Sequence, residues 1–463
     1  MKFNLSGNYT PMRILFLIWL FTLPVGGFFL PISLTYFTLY PNLILGIFLT
    51  IGCRPSLPFK INFKILILLY CFILLVYAIC LSLCLFPLQD AKFDIRSLGM
   101  QFLTALLLLG YAEKQSFNIA LSDCIVGLKA GMYAILLFGC IEFLTGIHLY
   151  GHQTELLKTL TAGPLSYAPV FVFDNPNDYL MCMLFLFQVL LLIDLKFQHS
   201  QGQIVAIILI LWMFSDAASC QFAKLNLGII GLAFLVDRYR VWIVSFRLWL
   251  FSMVCFTIIF IVICMTHAIF IGPKFQNAKH YRLNSILLLE KHGTVWKVDS
   301  ARSVLNSKEQ ISVENYLDSI NTRGGHTSKH LRQQLISKGL GYIREHYILG
   351  LGPGGFKNAI LQNPPITTGQ HVSPHNFPIE LISQFGILGS LYFVILLILW
   401  IKLFRVLKYS DWSKVYFFSL ILSMPIIWSM SSAYLYQFTH WLLLPVCFVF
   451  YTCLKSHAAF SRN

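Results

Sequence analysis

Charge is what this chain has least of. Asp, Glu, Lys and Arg make up 11% of its 463 residues, against 57% hydrophobic, a balance that excludes an ordinary soluble protein. There is no GxxxxGK[ST] loop to indicate ATP binding. No CxxC pair exists, and nearly all of the 12 cysteines fall inside apolar runs (Cys71, Cys80, Cys84, Cys140, Cys182, Cys255, Cys264, Cys447), where they read as small hydrophobes. Repeats, heptad seams and low-complexity tracts are also missing. Lys2 and Arg13 precede the first apolar run, but no small-residue cleavage pattern closes it. That run therefore reads as a first transmembrane helix and not as a removed signal.

What is present is a succession of apolar segments long enough to cross about 30 Å of hydrocarbon, and the mean hydropathy of +0.71 reflects them. They predict an all-α integral membrane protein of about twelve transmembrane helices, near 14–30, 32–52, 65–86, 97–112, 124–147, 178–194, 203–215, 225–237, 247–272, 383–404, 415–431 and 435–454. Residues 1–272 would hold nine helices, 273–379 one large outer loop, and 380–463 three more helices. A cytoplasmic N-terminus puts Arg54, Lys60, Lys64, Lys196, Arg238, Arg240, Arg405 and Lys408 on the cytoplasmic side, with both termini there.

The formal net charge is +15. Much of it lies in the segment 273–379, which includes Lys274, Arg302, Arg323, Arg332, Lys338 and Arg344. Long loops translocate regardless of charge, so the topology stands, and the excess of base suits an anionic substrate or anionic headgroups. The shorter outer loop, about 148–176, would lie over the same face.

Four stretches could carry chemistry. From Thr327 the chain reads TSKHLRQQLISKGLGYIREHYILGLGPGGF. Thr327 or Ser328 can cap a helix on which Leu331, Leu335, Tyr342 and Ile343 recur at helical spacing. Arg332 stands beside that stripe, either an exposed helical cation or an anion ligand. Gly350, Gly352, Pro353, Gly354 and Gly355 follow. They form a tight turn after the helix or an amide nest for phosphate; a dinucleotide-binding reading fails because no strand precedes them. Next, Pro374, His375, Asn376 and Pro378 lead into an apolar run, as helix-start residues do. His375 is then either an interfacial anchor or a neutral general base beside free helix amides. FDNPNDYL carries Asn175, Asn177 and Asp178 just before another span, and Lys224-Leu-Asn226-Leu-Gly228 opens a further one. The bland readings there are helix capping and a snorkelling lysine.

Together these stretches resemble the O-antigen ligase and polymerase superfamily, bacterial surface-polysaccharide enzymes that include teichuronic-acid-polymerase-like members. His375-Asn376, nine residues, Gly386, two residues, Gly389 is similar to that family's His-Asn, nine residues, Gly-x-x-Gly pattern. GLGPGGF looks like its Gly-x-Gly-Pro-Gly-x-Phe, Arg332 lies where it has an arginine, and FDNPNDYL is similar to its Asn-Pro-Asn element. Ala223-Lys224 stands where the family usually has Ser-Arg, which keeps the charge and loses the bidentate fork. The resemblance implies a GT-C-like fold and an inverting glycosyl transfer without nucleotide sugar, metal or other cofactor. The donor would be an undecaprenyl-diphosphate-linked glycan, and the acceptor a glycan or a lipid A core sugar. It also implies a bacterial plasma membrane location with the active site on the outer face. His375 would be the base, Arg332 and Lys224 the diphosphate ligands, and Asn376, Asn175 and Asn177 substrate-binding residues. Gly386 and Gly389, three apart on one helix, would permit close packing. A rival from another class, a transporter or flippase of lipid-linked glycan, needs ionisable groups along a central path, and Lys129 and Glu142 are the mid-span candidates.

Overall fold

The computed structural model describes residues 10–24, 32–34, 37–39, 41–53, 63–85, 88–145, 168–169, 171, 173, 176–218, 220–242, 327–362, 373–407, 411–430 and 438–460. The expected span 247–272 and most of both outer loops lie outside these residues.

Among the described residues the chain is helical apart from one small hairpin. Helix α1 (Pro11–Thr22) is followed by strands β1 (Ile32–Leu34) and β2 (Phe37–Leu39), antiparallel with Ser33 opposite Thr38, and then α2 (Pro41–Cys53). After these come α3 (Phe63–Leu85), α4 (Leu88–Gln115), α5 (Phe117–Thr145), α6 (Pro176–Ile193), the short α7 (Leu195–His199), α8 (Gln201–Ala217) and α9 (Gln221–Trp242). The remaining helices are α10 (Thr327–Glu345), α11 (Gly355–Gln362), α12 (Phe377–Val406), α13 (Asp411–Trp428) and α14 (Phe438–Phe460).

Among the described residues six helices are long and apolar enough to cross a membrane, over Phe63–Leu83, Asp94–Gln115, Phe117–Thr145, Pro176–Ile193, Phe377–Val406 and Phe438–Ser456; shorter apolar helices cover Pro11–Thr22, Gln201–Ala217 and Lys414–Trp428. The expected span 32–52 is not one helix. Pro41 sits in its middle, and a proline is favoured in the first turn of a helix, where its missing N–H costs nothing, although α13 and α14 each carry one further in, Pro425 and Pro445. The chain accordingly starts α2 at Pro41 and uses the β-branched and aromatic residues before it as a hairpin.

The core is built around α6, whose side chains are buried from Asp178 to Ile193 and which packs against α5, α9, α13 and α14. A helix apolar on all sides belongs in the middle of a bundle. Its one mid-helix amide, Gln188, donates to Ser423 Oγ on α13 at 2.6 Å and accepts from Ser419 Oγ at 3.2 Å. Asn226 Nδ2 of α9 reaches the Ser423 carbonyl at 3.4 Å. In an apolar interior such a shared polar set ties the register of three helices.

A second buried group ties α1 to α5: Arg13 Nη2 and Nε meet Asp123 Oδ1 at 2.8 and 2.9 Å, and Tyr111 O–H donates to Oδ2 at 2.7 Å. Helix α4 presents Asp94, Ser97, Gln101 and Thr104, all buried and spaced to share one face. That stripe leads from one end of the bundle inward, and the candidate site is assembled against it.

Candidate active site

The site rests on a unit formed by α10 and α11. Leu335, Phe356 and Ile360 make a small core of their own, with Tyr342 packed against it. Seven residues beyond Arg332 on the same face, Gly339 docks on α12, where a Cβ would collide with the Ile379 side chain.

The chain then leaves α10 through a glycine-rich turn that is threaded into α12. Leu351 N–H donates to the Ser383 carbonyl and Gly352 N–H to the Gln384 carbonyl, both at 2.8 Å, and Ile387 N–H returns to the Ile348 carbonyl at 3.3 Å. Residue 339 therefore lies beside 379, and residues 348–352 beside 383–387. Helix α10 runs parallel to the start of α12, which puts Arg332 and His375 at the same end of the packed pair.

Helix α12 is not continuous. Gly386 has φ 53° and ψ −130°, on the left-handed side of the map that favours glycine. The two halves, 377–385 and 387–406, double back on each other. The Phe377 ring lies 5.6 Å from that of Tyr392 and 5.8 Å from that of Phe393, whereas fifteen residues of straight helix would separate 377 from 392 by about 22 Å. Gly389 passes directly against the Leu381 carbonyl of the first half, where a side chain would not fit. Gly386 and Gly389 thus form a helical hairpin instead of a straight packing seam. The cause is the turn: Gly350 N–H is bonded back to His346, and a Cβ at Gly350 or Gly386 would strike the other's backbone.

The nest reading of the glycine turn meets a competitor. Gly354 N–H is held by Asp94 Oδ2 of α4 at 2.6 Å and by Gln384 Oε1 at 3.1 Å. With Leu351 and Gly352 also bonded, these amides are engaged within the protein and act as a strap. Gly350, Gly352 and Gly354 all have φ between 72° and 80°, which is why glycine is needed there.

His375 has φ 48°, a left-handed backbone that costs a non-glycine residue about 1–2 kcal/mol. Its N–H donates to Ser373 Oγ at 3.2 Å. Asn376 follows in extended conformation as the N-cap of α12, its Oδ1 accepting Ile379 N–H at 3.2 Å. Beneath it the Phe377 ring is clamped by His440 at 4.7 Å and by Trp428 at 6.0 Å. His440 Nε2 in turn bonds Gln101 Oε1 on α4 at 3.2 Å. The strained backbone of His375 is therefore fixed by packing on both sides, and such outliers cluster at functional sites.

The charges of Arg332 and Lys224 both act on Cys220, the buried residue between α8 and α9. Burial draws the Arg332 guanidinium down from its ordinary range, and Cys220 opposes that shift. Burial likewise pushes the Cys220 thiol up, against the pull of backbone N–H groups of Ala223 and Phe222 and of the Arg332 and Lys224 charges. Lys224 is ion-paired to Asp216, both half-buried, so its charge is already balanced.

Asn177 lies half-buried in the first turn of α6, without a recorded contact to Arg332 or His375; Asn175 lies outside the described residues. The loop 148–176 is described only near its end, where Glu142 of α5 accepts Phe171 N–H at 2.8 Å. Lys129 is ion-paired to Asp194 at 3.0 Å, so both residues weighed for a transport path hold structural bonds.

Sequence reasoning missed Asp94, Asp216, Gln384 and His440. Asp216 lies eight residues before Lys224, two helical turns being interrupted by a bend. The partners of the other three lie 30 to 339 residues away in the chain, and only the buried polar stripe on α4 could have hinted at them.

The fold and site define a multi-pass helical membrane protein in which a glycine-rich strap joins α10 to α12 and sets Arg332 and His375 at the same end of that pair. Residues 189–394, a little under half of the chain, are similar to the family whose model is described as O-antigen ligase. No curated protein and no solved structure matches the chain.

Proposed function

We propose that this protein is a membrane glycosyltransferase that moves a glycan from undecaprenyl diphosphate onto a sugar hydroxyl during surface-polysaccharide assembly. The observation that carries the reading is the parallel docking of α10 on the first half of α12 within the matched region, with Arg332 at the His375 end.

In the reaction the acceptor oxygen attacks the anomeric carbon as the bond from that carbon to the diphosphate oxygen breaks. His375 takes the hydroxyl proton, and the diphosphate leaves as an anion with inversion at carbon. Arg332 faces the developing charge with a planar fork suited to phosphate oxygens. Already partly stripped of water, it stabilises that charge without reorganising. Lys224 adds a second cation, released from Asp216 when the donor's diphosphate arrives. Asn376 keeps the helix start rigid, and Asn177 with Asn175 lines the approach of the glycan. No metal or nucleotide sugar takes part. The protein sits in the bacterial plasma membrane with both termini in the cytoplasm and the site on the outer face, within a GT-C-like arrangement of about twelve spans.

Between the two roles in this superfamily, polymerase is preferred, on the resemblance of FDNPNDYL and Lys224-Leu-Asn226-Leu-Gly228 to polymerase-like members. The test is a gel profile of surface and lipid-linked glycan in cells lacking the gene. Surface glycan capped at one repeat unit identifies a polymerase. Full-length polymer left on undecaprenyl diphosphate identifies a ligase and overturns that preference.

A further inference from the structure

The α10–α11 unit leaves apolar residues uncovered where a water-facing loop would be polar. Leu340, Tyr347, Ile348, Leu349 and Leu361 are exposed, Ile348 at 71%. Three of them are consecutive, in the turn between α10 and Gly350, and this turn rests on α3: Tyr77 O–H donates to the Leu349 carbonyl at 2.5 Å.

Tyr77 lies eight residues before the end of α3, roughly 12 Å along the helix axis. The outward residues of α3 on both sides of that level, Phe72, Ile73 and Val76 below and Ile79 and Leu83 above, are exposed and apolar, as on a helix facing lipid. A second contact supports the level. Two turns deeper, Tyr70 meets Tyr392 at 6.4 Å, and Tyr392 is six residues beyond Gly386, whose neighbour Ile387 bonds Ile348.

The backbone of the turn is the independent observation. In hydrocarbon each peptide group must find a partner inside the protein, whereas a loop in water can leave them to solvent. Here the carbonyls of Ile348 and Leu349 take Ile387 N–H and the Tyr77 hydroxyl, and the N–H groups of the three residues that leave the turn, Gly350, Leu351 and Gly352, go to His346, Ser383 and Gln384, so two carbonyls of the turn and its exit are satisfied inside the protein. Lys338, Arg344 and His346, just before the turn, are exposed, the arrangement of cations that reach headgroup phosphates while apolar neighbours go deeper.

We infer that Tyr347–Leu349 is a membrane-dipping turn whose partner is the acyl-chain layer of the bilayer. The turn anchors α10 to the lipid surface and sets the height of Arg332 relative to the headgroups. This inference stands on the membrane class alone and holds or falls independently of the glycosyl-transfer reading.

The unmodified protein in phosphatidylethanolamine and phosphatidylglycerol vesicles, doped with a phospholipid carrying a diazirine in its acyl chain, is irradiated and mapped by peptide mass spectrometry. Carbene adducts on the 347–349 peptide within about threefold of the yield on the outward face of α3 are expected, since both would lie in hydrocarbon. Adducts on α3 with none on 347–349, and labelling of 347–349 by a water-soluble diazirine instead, would overturn it. Because no substitution is made, a folding defect cannot imitate either result.

Discussion

Gly386→Ala tests the strap between the glycine turn and α12 most sharply. The position needs φ 53°, and holding a non-glycine residue in such a region costs about 1–3 kcal/mol. The new methyl would also press on the Ile348 and Tyr347 carbonyls and the Gly350 nitrogen, parting the two segments that exchange three backbone hydrogen bonds. At about 0.5–1.5 kcal/mol each, those bonds add roughly 1.5–4.5 kcal/mol, so the total loss is about 5 kcal/mol. Gly341→Ala is the control: it lies within α10, nothing stands within 4 Å of the added Cβ, and such a change in a helix gains roughly 0.5–1 kcal/mol. Both proteins, purified in detergent, are heated and the folded fraction read by size-exclusion chromatography. Gly386→Ala should aggregate at a clearly lower temperature than wild type and Gly341→Ala at the same or a higher one. Equal midpoints for the two would refute the strap.

Other expectations concern single side chains. His375→Gly should stabilise the protein by about 1 kcal/mol over His375→Ala by relieving the left-handed backbone, while both lose activity; equal thermal midpoints would show that the backbone is not strained. Arg332→Lys keeps the charge but loses the fork, so turnover on a lipid-linked donor should fall although the protein folds normally; unchanged kinetics would remove the guanidinium from the site. Asp216→Asn frees Lys224, and donor binding should tighten, read as a lower KM. Asp123→Ala takes the bidentate carboxylate from the buried Arg13 and should destabilise the protein, by up to about 3–5 kcal/mol, visible as loss of protein from the membrane fraction.

Much of the helical framework is legible in the sequence because apolar runs report crossing length directly. Helix α6 shows the limit: its run reads the same whether it faces lipid or protein, and only packing reveals it as the centre. The hairpin at Gly386 is hidden for a related reason. The run from Phe377 to Val406 is apolar on both sides of a single glycine, and an isolated glycine in a helix pattern is ordinarily tolerated. What breaks α12 is another segment, the turn at 348–352, entering from outside the helix. The start of α2 was legible in part, since Pro41 favours a helix start, but hydropathy averaged across it, and Pro425 and Pro445 lie inside helices of this same chain. At the site, the glycine turn and the helix start at Asn376 follow from local chemistry. The Asp94 bond to Gly354 and the bond between His440 and Gln101 do not, because each partner is chosen by the fold across hundreds of residues. Lys224 shows a further limit: its position reads as a cation at the mouth of a span, and its ion pair with Asp216, two turns earlier in sequence, is visible only in the fold.

The central claim is that His375 and Arg332 perform glycosyl transfer. The most direct measurement is a gel profile of surface and lipid-linked glycan from cells whose only copy carries His375→Ala, beside Arg332→Ala, wild type and a full deletion, with protein levels matched by immunoblot. Loss of turnover by roughly 10²–10⁴ is expected for a missing general base, so both variants should reproduce the deletion pattern at normal protein level. A wild-type glycan ladder from His375→Ala, with the deletion still defective, would contradict the account.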